Sequence, residues 1–509
     1  MLVDEREIIS RIDVFLQDKK WDAALGLLEK YQVEIQDKAL LYNLTGIALR
    51  GKFAPKNALK CFKAAIKKNP KFLAPYNNAG LASIDLADYH LALNYFVLGA
   101  KLEPKNTTVM LNMAVTMRHL GQMIEAINLL NSLISLQPNN VKAINNIGLC
   151  YETVGDFPAA ISAFEKAIIL DPNYIQPYLN LALIDNNFHK KDHFMKLKNF
   201  RKTDDHRKNS QLHFRIAKSY EDSENYERSF EYFKIGNQLR RDELNIKARD
   251  EIKVFDHRKA IQWTDLKKQH AEIKSENIPI FIIGMPRSGT TLLESFLATS
   301  ADCTPLGELS YFDDCLNELG VKEDAQPASE VAGELGRVYL EKVKRHGVPT
   351  KYFIDKMPRN FLNVGYIGLS LPRAKVIHIR RDKAATCWSI WKRYFSANGH
   401  AYAYDAKDLL RYYESYEDLM KFWRKECEFD FFEVSYENLI FDTITVTQNI
   451  FEYLNLEWSE RNVDHRNTNH AVKTASQQQV RKELYKDSRD AWRKFLPHNQ
   501  KLMEKFCII

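Results

Sequence analysis

A 34-residue period governs the first half of this chain. Pro70, Pro104, Pro138 and Pro172 stand 34 residues apart, and so do Ala24, Ala58, Ala92, Ala126 and Ala160. Gly46, Gly80 and Gly148 share a third register, with Ala114 in the remaining slot. Phe62, Phe96 and Phe164 share a fourth, with Leu130 in theirs. Independent columns at one period restrict the fold severely: each unit is a single supersecondary element that buries its apolar face only against its neighbours. The columns read as helix–turn–helix. Gly or Ala allows two helices to cross closely, the aromatic or Leu fills the space beside the crossing, and Pro follows the second helix because it cannot extend the hydrogen-bonded ladder.

The period and the set Gly148, Tyr151, Ala160, Phe164, Ala167, Pro172 resemble the tetratricopeptide repeat (TPR). About five units fall between residues 5 and 172. A degenerate stretch rich in Lys, Asp and His covers 175–208, and a last unit spans Leu212–Arg240, with Ala217, Tyr220, Ser229 and Phe233 near the expected slots. The resemblance implies an all-α curved solenoid over residues 1–240, with a groove for a protein or peptide partner. Packing between copies, in a homodimer, is the alternative. Asn77, Asn78, Asn112, Asn145, Asn146 and Asn180 suit hydrogen bonding to an extended backbone, and equally suit a solvated surface.

With 509 residues the chain exceeds the ~250–300 at which a single core stops growing, so at least one further domain follows. Residues 241–276 are highly charged with helical spacing and read as a helical linker; residues 277–509 form the second domain. Lys and Arg number 73 against 66 Asp and Glu, a net charge of +7. That mild excess accommodates an anionic ligand and does not call for nucleic acid. The seven cysteines, Cys61, Cys150, Cys303, Cys315, Cys387, Cys427 and Cys507, are scattered without a CxxC. That argues against a disulfide framework and a clustered zinc site, and for a reducing compartment. The N-terminal Met1–Glu7 lacks a basic then apolar signal pattern, and apolar runs such as Ile280–Ile283 fall far short of the ~20 residues of a transmembrane segment.

The second domain opens with Ile278–Ile283, a β-branched run that reads as a buried parallel strand. It runs into Gly284-Met285-Pro286-Arg287-Ser288-Gly289-Thr290-Thr291 and then a helical pattern through Leu297. Strand, glycine-containing loop and helix have the geometry of an anion cradle of backbone N–H groups, with an ordinary glycine turn between strand and helix as the alternative. Thr290 stands where a nucleoside-triphosphatase loop carries its lysine, which argues against a P-loop kinase. Arg287 lies inside the loop instead, and its fork suits a terminal phosphate or sulfate. Three more strands are expected: Tyr352–Asp355 ending at Lys356, Lys375–Arg380 ending at Arg381, and Phe431–Leu439, followed by an amphipathic helix to Leu454.

These segments together resemble sulfotransferases that use 3′-phosphoadenosine-5′-phosphosulfate (PAPS). The chain as a whole is similar to bacterial TPR-linked sulfotransferases, whose catalytic domain is close to the protein-tyrosine sulfotransferases. The resemblance covers roughly 210–505 and the repeats. It rests on Pro286–Leu292, Gly307-Glu308-Leu309, Asp355–Pro358, Arg381-Asp382 with Ser389 and Arg393, Tyr436–Leu439, and Ser476 to Trp492. It implies a TPR solenoid followed by an α/β P-loop-like domain with a central parallel sheet. By the same resemblance Arg287, Ser288, Gly289, Thr290 and Thr291 bind the 5′-phosphosulfate. Arg381, Ser389 and Arg393 hold the 3′-phosphate, Tyr436 contacts the adenine side, and Ser476 and Lys482 add nucleotide contacts. Lys356, assisted by Arg287 and Ser476, stabilises the oxygen that bridges to the departing nucleotide PAP. Glu308 is the general base for the acceptor hydroxyl, and no metal is required.

Counting ungapped from Arg287 places Glu308 at the relatives' catalytic glutamate; aligning the Gly-Glu pair places Leu309 there. A structural hydrogen bond to the loop is the other role open to Glu308. The tyrosine-sulfating relatives carry arginines just beyond, whereas this chain reads Ser310-Tyr311-Phe312-Asp313-Asp314, which argues against an acidic-peptide acceptor. The acceptor is left among a peptide tyrosine, a glycan and a small alcohol. The bracing cysteines of secreted relatives have no counterpart, so a cytoplasmic, bacterial setting is expected. The competing reading is a TPR scaffold with a nucleotide-binding but inactive domain.

Overall fold

A computed structural model describes residues 4–200, 205–244, 247–263, 275–321, 329–396, 399–426, 431–464 and 491–498. The chain divides into two units, Met1–Pro177 and Tyr178–Ile509.

The first unit is built of helix pairs: Glu5–Gln17 with Trp21–Lys30, Lys38–Gly51 with Pro55–Lys68, Leu73–Asp85 with Tyr89–Leu102, Thr107–Leu120 with Met123–Leu136, and Val141–Val154 with Phe157–Leu170. These are the five expected units. The side chains of Asp37, Asp88, Asn106, Asn140 and Asp156 accept from backbone N–H groups two or three residues on and start their helices. Second helices end at Lys68, Leu102, Leu136 and Leu170, two residues before the proline column. The glycine column is a matter of space. A Cβ on Gly46, Gly80 or Gly148 would lie 2.4, 2.5 or 2.6 Å from the ring of Phe62, Phe96 or Phe164. Where Ala114 replaces glycine, the smaller Leu130 replaces the ring, and both are fully buried. The asparagines bond between repeats: Asn78 Nδ2 donates to Asn43 Oδ1 at 2.9 Å, and Asn112 Nδ2 to Asn77 Oδ1 at 2.8 Å. The next rung would need an amide at position 111. Leu111 stands there, and Asn146 turns to the Lys142 carbonyl at 2.8 Å.

The second unit holds a five-stranded, wholly parallel sheet: β1 Ile278–Ile283, β2 Cys303–Pro305, β3 Tyr352–Asp355, β4 Lys375–Arg380 and β5 Phe431–Ser435, in the order β2-β3-β1-β4-β5. Period-2 alternation feeds two cores. Ile278, Ile280, Ile282, Ile354, Ile377 and Ile379 bury on one face; Phe281, Ile283, Phe353 and Val376 bury on the other. Three strands match the expected ones. The fourth is shorter: Ser435 ends β5, and its Oγ accepts from Asn438 N–H to start helix Tyr436–Phe441, ahead of helix Thr443–Leu454. The short strand β2 was not foreseen.

The repeat-like pair His206–Asp222 and Tyr226–Glu243 belongs to the second unit, so the division falls at 177/178, ahead of the 240 expected from the repeats. Phe230 stacks on Trp391 at 5.3 Å, and Asn237 Nδ2 donates to the Trp391 carbonyl at 3.1 Å. Helix Ala248–Ala260, expected as linker, buries Phe255 in the same core, together with Trp263 just beyond it. Cys61, Cys150, Cys303, Cys315 and Cys387 are free thiols. Among the described residues no helix is long and apolar enough to cross a membrane.

Candidate active site

Because every strand runs the same way, the five C-terminal ends open on one edge of the sheet, where parallel α/β sheets bind ligands. The loop after β1 is bent through positive φ at Arg287 (70°) and Gly289 (107°). Arginine in that region carries a cost of about 1–2 kcal/mol, which the packing around it must sustain. Gly289 has no alternative, since a Cβ there would stand 2.4 Å from the Tyr436 ring. Helix Thr290–Leu297 follows, with Thr290 and Thr291 buried in its first turn. The N–H groups of that turn have no partner within the helix and face out of its N-terminus. Ser288 Oγ is buried in the loop without a hydrogen-bond partner, a state that normally costs stability unless a ligand answers it.

Arginines from three segments converge here. Arg287 Nε donates to Ser389 Oγ at 3.0 Å, and Arg381 Nη1 donates to the Arg287 carbonyl at 3.1 Å. The Arg381 guanidinium lies 4.6 Å over the Tyr436 ring. Burial, with the nearby Arg393 and Arg381 charges adding to it, pushes the Arg287 guanidinium down to about 9. Burial also lowers Arg381. Like charges gathered in low dielectric repel, and an anion is the natural remedy. Asp382, the obvious ionic neighbour for Arg381, instead caps helix Lys383–Trp391 through Ala385 N–H, while its own N–H donates to Glu437.

The second constellation centres on Lys356, just past β3. Its side chain is fully buried, and Nζ donates to Glu308 Oε1 at 2.6 Å. The Glu308 side chain keeps 42% of its surface exposed, so it alone of the pair faces incoming molecules. Glu294, from the helix after the loop, places Oε2 4.0 Å from Nζ, and its Oε1 accepts from Gly307 N–H at 3.1 Å. Burial raises the Glu294 carboxyl to about 7 against the pull of Lys356, and the Glu308 charge raises it further. Burial likewise raises Asp355 to about 7, although Tyr339 Oη donates to its Oδ2 at 2.8 Å.

Of the residues expected from sequence, the structure brings Arg287, Ser288, Gly289, Arg381, Ser389, Arg393 and Tyr436 to one cluster, with Thr290 and Thr291 on the adjoining helix, and pairs Lys356 with Glu308. Ser476 and Lys482 lie outside the described residues. Sequence reasoning passed over Glu294. The available signal was a single charge in Thr290–Leu297, a helix whose eight residues are all buried.

Residues 279–460 match the sulfotransferase family, and residues 141–174 match the tetratricopeptide repeat. These stretches are thus similar to sulfotransferase-family domains and to the tetratricopeptide repeat, respectively. The chain is 28% identical over 304 residues to an uncharacterized protein of Aquifex aeolicus, covering 55% of this chain and 39% of that one. Against protein-tyrosine sulfotransferase 1 of Danio rerio it is 26% identical over 215 residues, covering 38% and 58%; against the Homo sapiens protein of that name it is 27% identical over 176 residues, covering 32% and 45%. It therefore spans less than two thirds of each of these relatives. Solved TPR structures are similar to part of the chain. One is a thermophilic TPR protein of Thermus thermophilus (17% identity, TM-score 0.32, 35% of this chain and 98% of that one). A solved structure of MamA from Desulfovibrio magneticus is also similar to part of the chain (26% identity, TM-score 0.28, 32% of this chain and 92% of that one).

Proposed function

We propose that this chain is a PAPS-dependent sulfotransferase. The observation that carries the reading is the convergence of Arg287, Arg381 and Arg393 on a loop that buries an unanswered Ser288 hydroxyl, at the sheet edge that also presents Lys356. A donor with one phosphate and one phosphosulfate matches that chemistry, and a lone monoanion does not. Arg287 to Thr291 would hold the 5′ end; Arg381, Ser389 and Arg393 the 3′-phosphate; Tyr436 the adenine side. Ser476 and Lys482 are carried as further contacts.

PAPS supplies the sulfuryl group. Glu308 takes the proton of the acceptor hydroxyl, whose oxygen forms the new S–O bond. The bond to the bridging oxygen breaks, and its electron pair stays on the phosphate of PAP. Lys356 and Arg287 stabilise the charge growing on that oxygen. The Lys356–Glu308 ion pair supports this division of labour: the two groups are already opposed, and only the glutamate reaches solvent. Free thiols at the described cysteines support a reducing, cytoplasmic setting, and the TPR region is proposed to dock a peptide or protein, the acceptor among them.

The test is transfer of label from radiolabelled PAPS to a panel of a tyrosine peptide, a glycan and a simple phenol. Transfer to one class, abolished by Lys356→Ala, supports the reading. Magnesium-dependent ATP hydrolysis with no sulfuryl transfer refutes it.

A further inference from the structure

Glu294 is a puzzle on the reading just given. It is 3% exposed, it carries the only charge of its helix, and no step of the reaction uses it. Its position is nevertheless specific. One oxygen accepts from Gly307 N–H at 3.1 Å, the residue before Glu308; the other faces Lys356 Nζ at 4.0 Å. Gly307 is bound from the other side as well, because its carbonyl accepts from Lys356 N–H at 2.9 Å. Glu294 therefore bears on both members of the Lys356–Glu308 pair: on Lys356 through its charge, and on Glu308 through the backbone N–H of the preceding Gly307.

That pair raises an electrostatic difficulty. Lys356 is fully buried and its closest counter-ion is Glu308. For Lys356 to serve the nucleotide and Glu308 to serve the acceptor, the 2.6 Å bond between them has to open. Leaving a buried ammonium with no other counter-charge nearby is strongly unfavourable.

We propose that Glu294 is a positioning residue: it holds the Gly307–Glu308 turn in place, serves as counter-ion to Lys356 while the ammonium parts from Glu308, and takes up a proton once the nucleotide anion replaces it beside Lys356. The proposal rests on the nucleotide-binding reading of this site. Among the described residues, the charged groups around Glu294 are Lys356 and Asp355 at the end of β3 and Glu308 after β2. Its own helix and β1 add none, and Glu460 and Arg461, on the turn packed against that helix, are exposed. Its carboxyl, already raised to about 7 by burial, responds to charge near neutral pH, and an anion bound beside Lys356 raises it further, so that binding takes up protons.

The test is calorimetric titration of PAP into the full chain at pH 7, in two buffers of different ionisation enthalpy, for the wild type and Glu294→Gln. Glutamine keeps the oxygen that accepts from Gly307 and removes the charge. The wild type is expected to take up protons on binding PAP. The variant is expected to lose about half of that uptake, the rest belonging to Asp355, and to bind PAP about three- to tenfold tighter, because a negative charge has left the anion site. Unchanged affinity and uptake in Glu294→Gln mean a role confined to the Gly307 hydrogen bond and overturn the proposal alone. Binding by the wild type without proton uptake overturns it without reliance on any variant. A wild type that does not bind PAP overturns the nucleotide reading, and this inference with it.

Discussion

Replacing Lys356 with methionine separates what the buried ammonium does for stability from what it does for reaction. In the wild type the Glu294 carboxyl stands at about 7 against an ordinary 4.5. The difference, 7 − 4.5, converts at ~1.36 kcal/mol per unit to about 3 kcal/mol. The sign follows from proton binding. The folded chain keeps this proton more tightly than the unfolded chain, so stability is full below pH ~4.5 and declines as pH rises to ~7. Lys356 holds that shift down. Without it the carboxyl rises further, and the decline continues above pH 7. Urea unfolding of Lys356→Met at pH 5, 6, 7 and 8 is therefore expected to run near the wild type in acid and to fall behind by more than about 1 kcal/mol at pH 8. Sulfuryl transfer is expected to drop by about 10²–10³-fold, the usual size for one donor aimed at developing charge, with PAP still bound. Parallel stability curves across that range, or transfer within tenfold of wild type, would refute the reasoning.

Further expectations concern other parts of the molecule. Arg381→Ala should weaken PAP about 10–100-fold by calorimetry while barely changing the affinity for adenosine 5′-phosphosulfate, which lacks the 3′-phosphate. Gly289→Ala forces a Cβ into the Tyr436 ring at positive φ and should cost about 1–3 kcal/mol in urea unfolding and abolish PAP binding. In the repeats, Gly80→Ala meets the Phe96 ring at 2.5 Å and should cost about 1–3 kcal/mol, and adding Phe96→Leu should recover part of it, reproducing the Ala114–Leu130 pairing of the next repeat.

What the sequence revealed and what it hid have physical reasons. The repeat is legible because the columns record a geometric constraint: glycine faces a ring at each close crossing, and alanine faces leucine where the ring is absent. β1 and β4 are legible as β-branched runs, and β3 as a short aromatic and aliphatic run, each buried on both faces. β2 is three residues long and carries no such run. Tyr436–Leu439 looked like strand because the aromatic and aliphatic pattern continued past Ser435, whose hydroxyl starts the next helix. Helix Ala248–Ala260 looked like a connector because its buried face holds little more than Val254 and Phe255 among charged neighbours. Paired arginines and the loop were visible as motifs; the convergence of Arg287 with Ser389, 102 residues on, is a product of the parallel sheet and can be seen only in three dimensions.

The central claim is that this site is built for a nucleotide with anions at both ends. Its most direct test is competition calorimetry of PAP against ADP on the wild-type chain. The account predicts one PAP bound per chain, at least about 30-fold tighter than ADP, because the 3′-phosphate engages Arg381 and its neighbours through charge-assisted bonds. ADP binding as tightly as PAP would contradict it.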